Sequence, residues 1–146
     1  MSTSSQIVVV TSDVENRHAL STILMKLGLD AICISTVNQC REMLGGESVG
    51  LIFCDRYLAD GGYRDVLAAS RSSEGQPCVV LTCRHTNSDY QEAKNVGVFD
   101  VISAPCRPTD VEWMIIRAKH REKQMAQQHF NLMPPSRRRA RAAATA

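Results

Sequence analysis

The chain has 146 residues, 44% of them hydrophobic and 22% charged, which suits one globular domain with a real core and gives no reason to divide it in two. No stretch approaches the roughly 20 consecutive apolar residues of a membrane span, and the opening Met1-Ser2-Thr3-Ser4-Ser5-Gln6 lacks the basic and then apolar pattern of a secretory signal, so a cytoplasmic protein is expected. The net charge of +2 conceals an asymmetry: residues 1–122 carry twelve Lys and Arg against fifteen Asp and Glu, while residues 123–146 add five basic residues and no acidic one.

After a short N-terminal segment, residues 1–5, the first apolar run is Ile7-Val8-Val9-Val10, a strand that ends on Thr11-Ser12-Asp13. Leu20, Ile23, Leu24 and Leu27 then recur at helical spacing and predict one buried stripe, with Gly28 as the C-terminal cap. Ala31-Ile32-Cys33-Ile34 reads as the second strand. Thr36-Val37-Asn38-Gln39 has the spacing that lets a hydroxyl and a side-chain amide satisfy the free N–H groups of a helix start, and that helix is expected to stop near Gly45-Gly46. The third strand, Leu51-Ile52-Phe53-Cys54, is closed by Asp55.

Asp60-Gly61-Gly62 forms a turn into a short helix, and Ser72 to Pro77 is a polar loop. The fourth strand, Cys78-Val79-Val80-Leu81, ends on Thr82. A fourth helix is predicted over Asp89 to Val96 with Gly97 closing it, and the fifth strand, Val101-Ile102-Ser103, ends on Ala104-Pro105. Pro108 and Thr109 open the last helix, whose stripe is Val111, Met114, Ile115 and Ala118, with Trp113 expected as an anchor against the body. The stripe fades after Ala118. The domain is therefore placed over residues 6–122, a helical extension over 123–133, and a basic tail without apolar pattern over 134–146, where Pro134-Pro135 ends the helix.

Strands alternating with helices predict an α/β fold with a parallel sheet covered on both faces. In such sheets chemistry gathers outside the carboxyl ends of the strands, so Thr11, Ser12, Asp13, Asp55, Thr82, Ala104 and Pro105 converge on one crevice. The six cysteines form no C-x-x-C pair and read as reduced, buried thiols, Cys33, Cys54 and Cys78 inside apolar runs; Cys83 and Cys106, near the crevice, are kept as redox candidates. The four histidines, at 18, 85, 120 and 129, have no metal-ligand spacing and read as surface residues.

Four features in order, the strand opening at Ile7, Asp55, Thr82, and Gly97-Val98-Phe99-Asp100-Val101-Ile102-Ser103-Ala104-Pro105, make residues from about Gln6 to His120 resemble the receiver domain of bacterial two-component response regulators. The last stretch is similar to the family's G-A-x-D-Y-L-x-K-P. The resemblance implies a doubly wound, flavodoxin-like sheet of five parallel strands in the order 2-1-3-4-5 with five helices. It implies Asp55 as the phosphoacceptor candidate, Thr82 as the switch hydroxyl, and Pro105 following a cis peptide bond. The family's Mg²⁺-binding acid pair is matched by Thr11 and Ser12, its lysine by Ala104, and its aromatic switch position by Val101. Neutral hydroxyls are poorer Mg²⁺ ligands than carboxylates, so no cofactor is assigned, and a metal held by Asp13, Asp55 and the carbonyl near Tyr57 is the reading that would keep Mg²⁺.

The expected function is that of a stand-alone receiver-like module in phosphorelay signalling, a pseudo-receiver that is not an enzyme and acts by protein–protein contact. About two dozen residues follow the last apolar turn, too few for an output domain, so a histidine kinase or a downstream effector is the expected partner, with a homodimer as a further contact. In a degenerate site Asp55 would serve as an acceptor for backbone N–H groups or a partner for Arg56 or Arg84. The alternatives are a conventional receiver phosphorylated on Asp55 and a small nucleotide or flavin binder. Thr11-Ser12-Asp13-Val14-Glu15 has no glycine and two acids, a poor phosphate cradle. Nucleic-acid binding by the arginine tail is not expected, because its four arginines lack interleaved aromatics.

Overall fold

The structure is a computed structural model and describes residues 5–84 and 87–134. Its elements are β1 (Gln6–Val10), α1 (Val14–Lys26), β2 (Ala31–Ile34), α2 (Val37–Gly46), β3 (Val49–Asp55), β4 (Tyr57–Leu58), β5 (Gly61–Gly62), α3 (Tyr63–Ser72), β6 (Cys78–Cys83), α4 (Asn87–Val96), β7 (Asp100–Ser103) and α5 (Pro108–Leu132). Among the described residues, five parallel strands form one sheet in the order β2-β1-β3-β6-β7, the expected 2-1-3-4-5 when the small β4-β5 hairpin is set aside.

The apolar runs of β1, β3 and β6 follow from their place in the sheet. Each is central and covered on both faces, so side chains of either parity must be apolar. Val8, Val10, Ile52, Cys54, Val79 and Leu81 pack with Val37, Cys40, Val66, Leu67 and Ala93 of α2, α3 and α4. Val9, Leu51, Phe53 and Val80 pack with Leu20, Leu24, Val111, Met114 and Ile115 of α1 and α5. Phe53 is fully buried, a burial that contributes about 1.5–3 kcal/mol. Parallel register sets Val10 beside Cys54 and Asp55 beside Thr82, which brings three strand ends level.

Local chemistry ends each helix. Gly28, at φ 73°, closes α1, with its N–H on Met25 and the Leu29 N–H on the Leu24 carbonyl. Thr36 caps α2 through the Gln39 N–H as expected, but the Gln39 amide oxygen takes the N–H of Ser35. A second acceptor reaches the same helix start from the hairpin: Asp60 receives the N–H groups of Val37 and Asn38 at 2.7 and 3.0 Å. Gly62 is required where the hairpin closes, since a Cβ there would lie 2.7 Å from the Arg56 carbonyl oxygen.

Three expectations are corrected. Trp113 is not an anchor: at 57% exposure it faces away from the α5 stripe, with Ile116 at 51% beside it. Cys33 is exposed because β2 is the edge strand of the sheet, with the Ser21 hydroxyl of α1 3.4 Å from its sulfur. Leu27 falls at the cap of α1, past the last buried turn, and is 39% exposed. Helix α5 does continue past the apolar stripe to Leu132, with Pro134 beyond its cap, while the arginines at 137–139 and 141, together with His85, lie outside the described residues, and the His129 side chain likewise.

Candidate functional site

The mouth of the sheet gathers Thr11, Asp55 and Thr82 as register predicts, and one residue that strand-end reasoning does not reach. Asn16, in the first turn of α1, is buried beside them. Thr11, Asn16 and Thr82 are 0%, 1% and 2% exposed, whereas Asp55 is half-buried, so the carboxylate sits over a buried polar floor with one side toward the crevice.

Both oxygens of Asp55 are occupied by uncharged donors. Thr11 Oγ1 donates to Oδ2. On Oδ1, Asn16 Nδ2 donates at 2.8 Å and Thr82 Oγ1 at 2.8 Å. Asn16 Nδ2 also reaches Thr82 Oγ1 at 3.1 Å, and Asn16 Oδ1 accepts the Cys106 thiol at 3.4 Å. Hydrogen bonds to a charged acceptor contribute about 1.5–3 kcal/mol each. A cation or phosphoryl group entering here would have to displace these donors.

The surrounding candidates are placed differently. Asp13 caps α1: its Oδ1 accepts from Glu15 N–H at 2.9 Å and Asn16 N–H at 3.4 Å. Its own N–H goes to Thr11 Oγ1 at 3.0 Å, which fixes that hydroxyl for donation to Asp55. Ser12 is exposed. Ala104 brings a methyl group and joins Pro105 through a cis peptide bond, and Val101 is buried. The Arg17 guanidinium Nη2 bonds the Thr11 carbonyl at 3.0 Å, behind the strand end.

Two expectations about the acid and the thiols change with this geometry. Among the described residues Asp55 is held by side chains rather than by backbone N–H groups, and Arg56 pairs instead with Asp89 of α4, Nη1 to Oδ1 at 2.7 Å. Cys83 and Cys106 are buried, and burial raises both thiols, Cys106 to about 12 with the charges of Asp55 and Asp110 adding to it. Neither has the lowered pKa of a reactive thiol.

No protein-family model matches the sequence, and no curated protein matches it. Solved structures do. The signal receiver domain of a Luxo repressor protein from Vibrio parahaemolyticus aligns with a TM-score of 0.74 at 14% identity, over 84% of this chain and 95% of that one. The fold is that of a receiver domain. The receiver domain of the sensor histidine kinase PA1611 from Pseudomonas aeruginosa, which holds a magnesium ion in its active-site cleft, aligns at 0.70 and 14% identity over 79% and 97% of the two chains. The receiver domain of Ssk1 from Saccharomyces cerevisiae, solved with the histidine phosphotransfer protein Ypd1, aligns at 0.65 and 16% identity over 74% and 83%.

Within the receiver fold, the residues present here do not fit Mg²⁺. The divalent ion prefers near-octahedral oxygen ligands of which carboxylates are the strongest. This mouth offers one carboxylate whose two oxygens are already bonded, two hydroxyls, and an Asp13 whose Oδ1 is committed to the α1 N-terminus. Among the described residues no three His, Cys, Asp or Glu side chains are grouped to hold a metal. Asn16 was missed by the sequence reading although a signal existed: positions 16, 20, 23 and 24 share one helical stripe, and a polar residue on a buried stripe needs a partner.

Proposed function

We propose that the chain is a receiver-like signalling module with degenerate phosphoacceptor chemistry, working by contact with other proteins. The observation that carries this reading is that both oxygens of Asp55 accept from neutral side chains of the chain itself, Oδ2 from Thr11 and Oδ1 from Asn16 and Thr82. A carboxylate that accepts a phosphoryl group needs an oxygen free for in-line attack and cations to offset the charge of the incoming group. Here hydroxyls and an amide supply the compensation, and the lysine position holds Ala104.

The partner class follows the same reading. A histidine kinase, a histidine phosphotransfer protein of the kind bound to the yeast receiver domain, or a downstream effector docks on the protein surface, and the outward side of α5 with Trp113 and Ile116 offers apolar area for it. Conventional phosphorylation is the rival, because the Asp55–Thr82 register pair retains the two residues that a working receiver phosphorylates and moves.

Incubation with acetyl phosphate and Mg²⁺, followed by intact-mass measurement, separates the two. The proposal expects no phosphoryl adduct on the wild type. An adduct that disappears in Asp55→Asn establishes the rival.

A further inference from the structure

We propose that Asn16 is the lock of this crevice: its amide holds Asp55 and Thr82 together without any cation and ties both to the segment before α5 through Cys106. This rests on the degenerate-receiver reading and adds to it a named residue and a mechanism for the resting state.

Polarity settles how the amide must lie. An ionised carboxylate only accepts hydrogen bonds, so the face toward Asp55 has to be the NH₂ end. That leaves the Asn16 carbonyl oxygen for Cys106, whose thiol donates to it at 3.4 Å. The buried Cys106 remains a protonated donor, since burial pushes its thiol up to about 12. Donor at one end and acceptor at the other is a property of an amide, which neither an isosteric Leu nor an isosteric Asp reproduces.

The amide also determines where Thr82 points. Its hydroxyl donates to Asp55 Oδ1 at 2.8 Å and receives the Asn16 N–H at 3.1 Å, so the side chain is pinned inward from both directions. In chain terms, α1, β3, β6 and the segment between β7 and α5 are joined through one side chain at a buried point. The inward position of Thr82 is thus the resting position, maintained by the protein itself.

The test uses the full chain and amide NMR on Asn16→Leu, Asn16→Asp and Asn16→Asp combined with Asp55→Asn, with Mg²⁺ alone as the titrant. Leu keeps the shape and removes both hydrogen-bonding ends. Its folded spectrum is expected to shift at Thr82, at Cys106 and in the first turn of α5, well beyond the neighbours of residue 16. Asn16→Asp places a second carboxylate against Asp55 and is expected to gain a saturable Mg²⁺ response that the double variant lacks.

If Asn16→Leu folds and leaves Thr82 and Cys106 unmoved while the wild type is silent to Mg²⁺, the lock is wrong and the degenerate reading stands. If Asn16→Leu does not fold, Asn16→Asp decides, and absence of the Mg²⁺ response overturns the lock. A Mg²⁺ response in the wild type itself overturns both.

Discussion

At the scale of residues, the mouth of the sheet is a closed set of hydrogen bonds, and its members are not interchangeable. Thr82→Val preserves shape and removes the hydroxyl that serves Asp55, leaving a buried donor on Asn16 with one partner fewer. Loss of about 1–3 kcal/mol in urea unfolding at neutral pH is expected, and a change below about 0.5 kcal/mol, the size of an ordinary surface substitution, would show that the hydroxyl is not part of a load-sharing network. The thiols give an independent check. Cys33 is exposed and the other five cysteines are buried, so a thiol reagent should modify one cysteine quickly in the native protein and all six in denaturant. Cys33→Ser should remove the fast phase; a second fast thiol would contradict the burial of the other five. Asp55 and Thr82 were readable in the sequence because strand ends advertise themselves. Asn16 is readable only from its place on the stripe of positions 16, 20, 23 and 24, a signal easily passed over because a polar residue in the first turn of a helix ordinarily faces water.

At the scale of elements, helix caps and helix faces divide the legible from the illegible. The Gly28 turn and the Thr36 cap follow from local spacing. Asp60 does not, because it reaches the α2 start from 22 or more residues away in the chain. The two α2 N–H groups hold its carboxyl below the usual carboxylate range. A depressed folded pKa means that the stabilisation is fully present above the ordinary value of about 3.9 and is lost as pH falls through the lower folded value. The difference in urea midpoint between wild type and Asp60→Asn should therefore shrink on acidification below about pH 4; a pH-independent difference would assign the effect to packing. On α5, Trp113 was misread because a large aromatic beside an apolar stripe suggests burial, whereas the core side of the helix is already filled by Val111, Met114, Ile115 and Ala118. Iodide should quench the single tryptophan in the native protein almost as well as in urea, and Met114→Ala should cost about 2–5 kcal/mol where Trp113→Ala costs far less. Strong protection of the indole would reverse that assignment.

At the scale of the whole molecule, alternation of strand and helix was enough to define the parallel sheet, and the continuous apolar runs of β1, β3 and β6 marked its centre. The edge position of β2 was not visible in its own residues, which is why Cys33 was expected inside. The fold is shared with receiver domains at 14–16% identity, and the degenerate chemistry proposed for the mouth rests on Thr11, Ser12 and Ala104 at positions where the family resemblance implies charged residues. Architecture here tolerates wide substitution because it depends on apolar pattern and register, whereas phosphoryl chemistry depends on a few charges that a single neutral residue can replace. Asp55, held by the protein's own donors, is proposed to be indifferent to the ligands of a working receiver. The most direct measurement is an amide NMR titration of the wild type with Mg²⁺ and then beryllofluoride, a phosphoryl mimic, beside Asp55→Asn. A silent spectrum with both additives is expected. Shifts at Thr11, Asp55, Thr82, α4 and α5 that vanish in Asp55→Asn would contradict it and restore a conventional, phosphorylatable receiver.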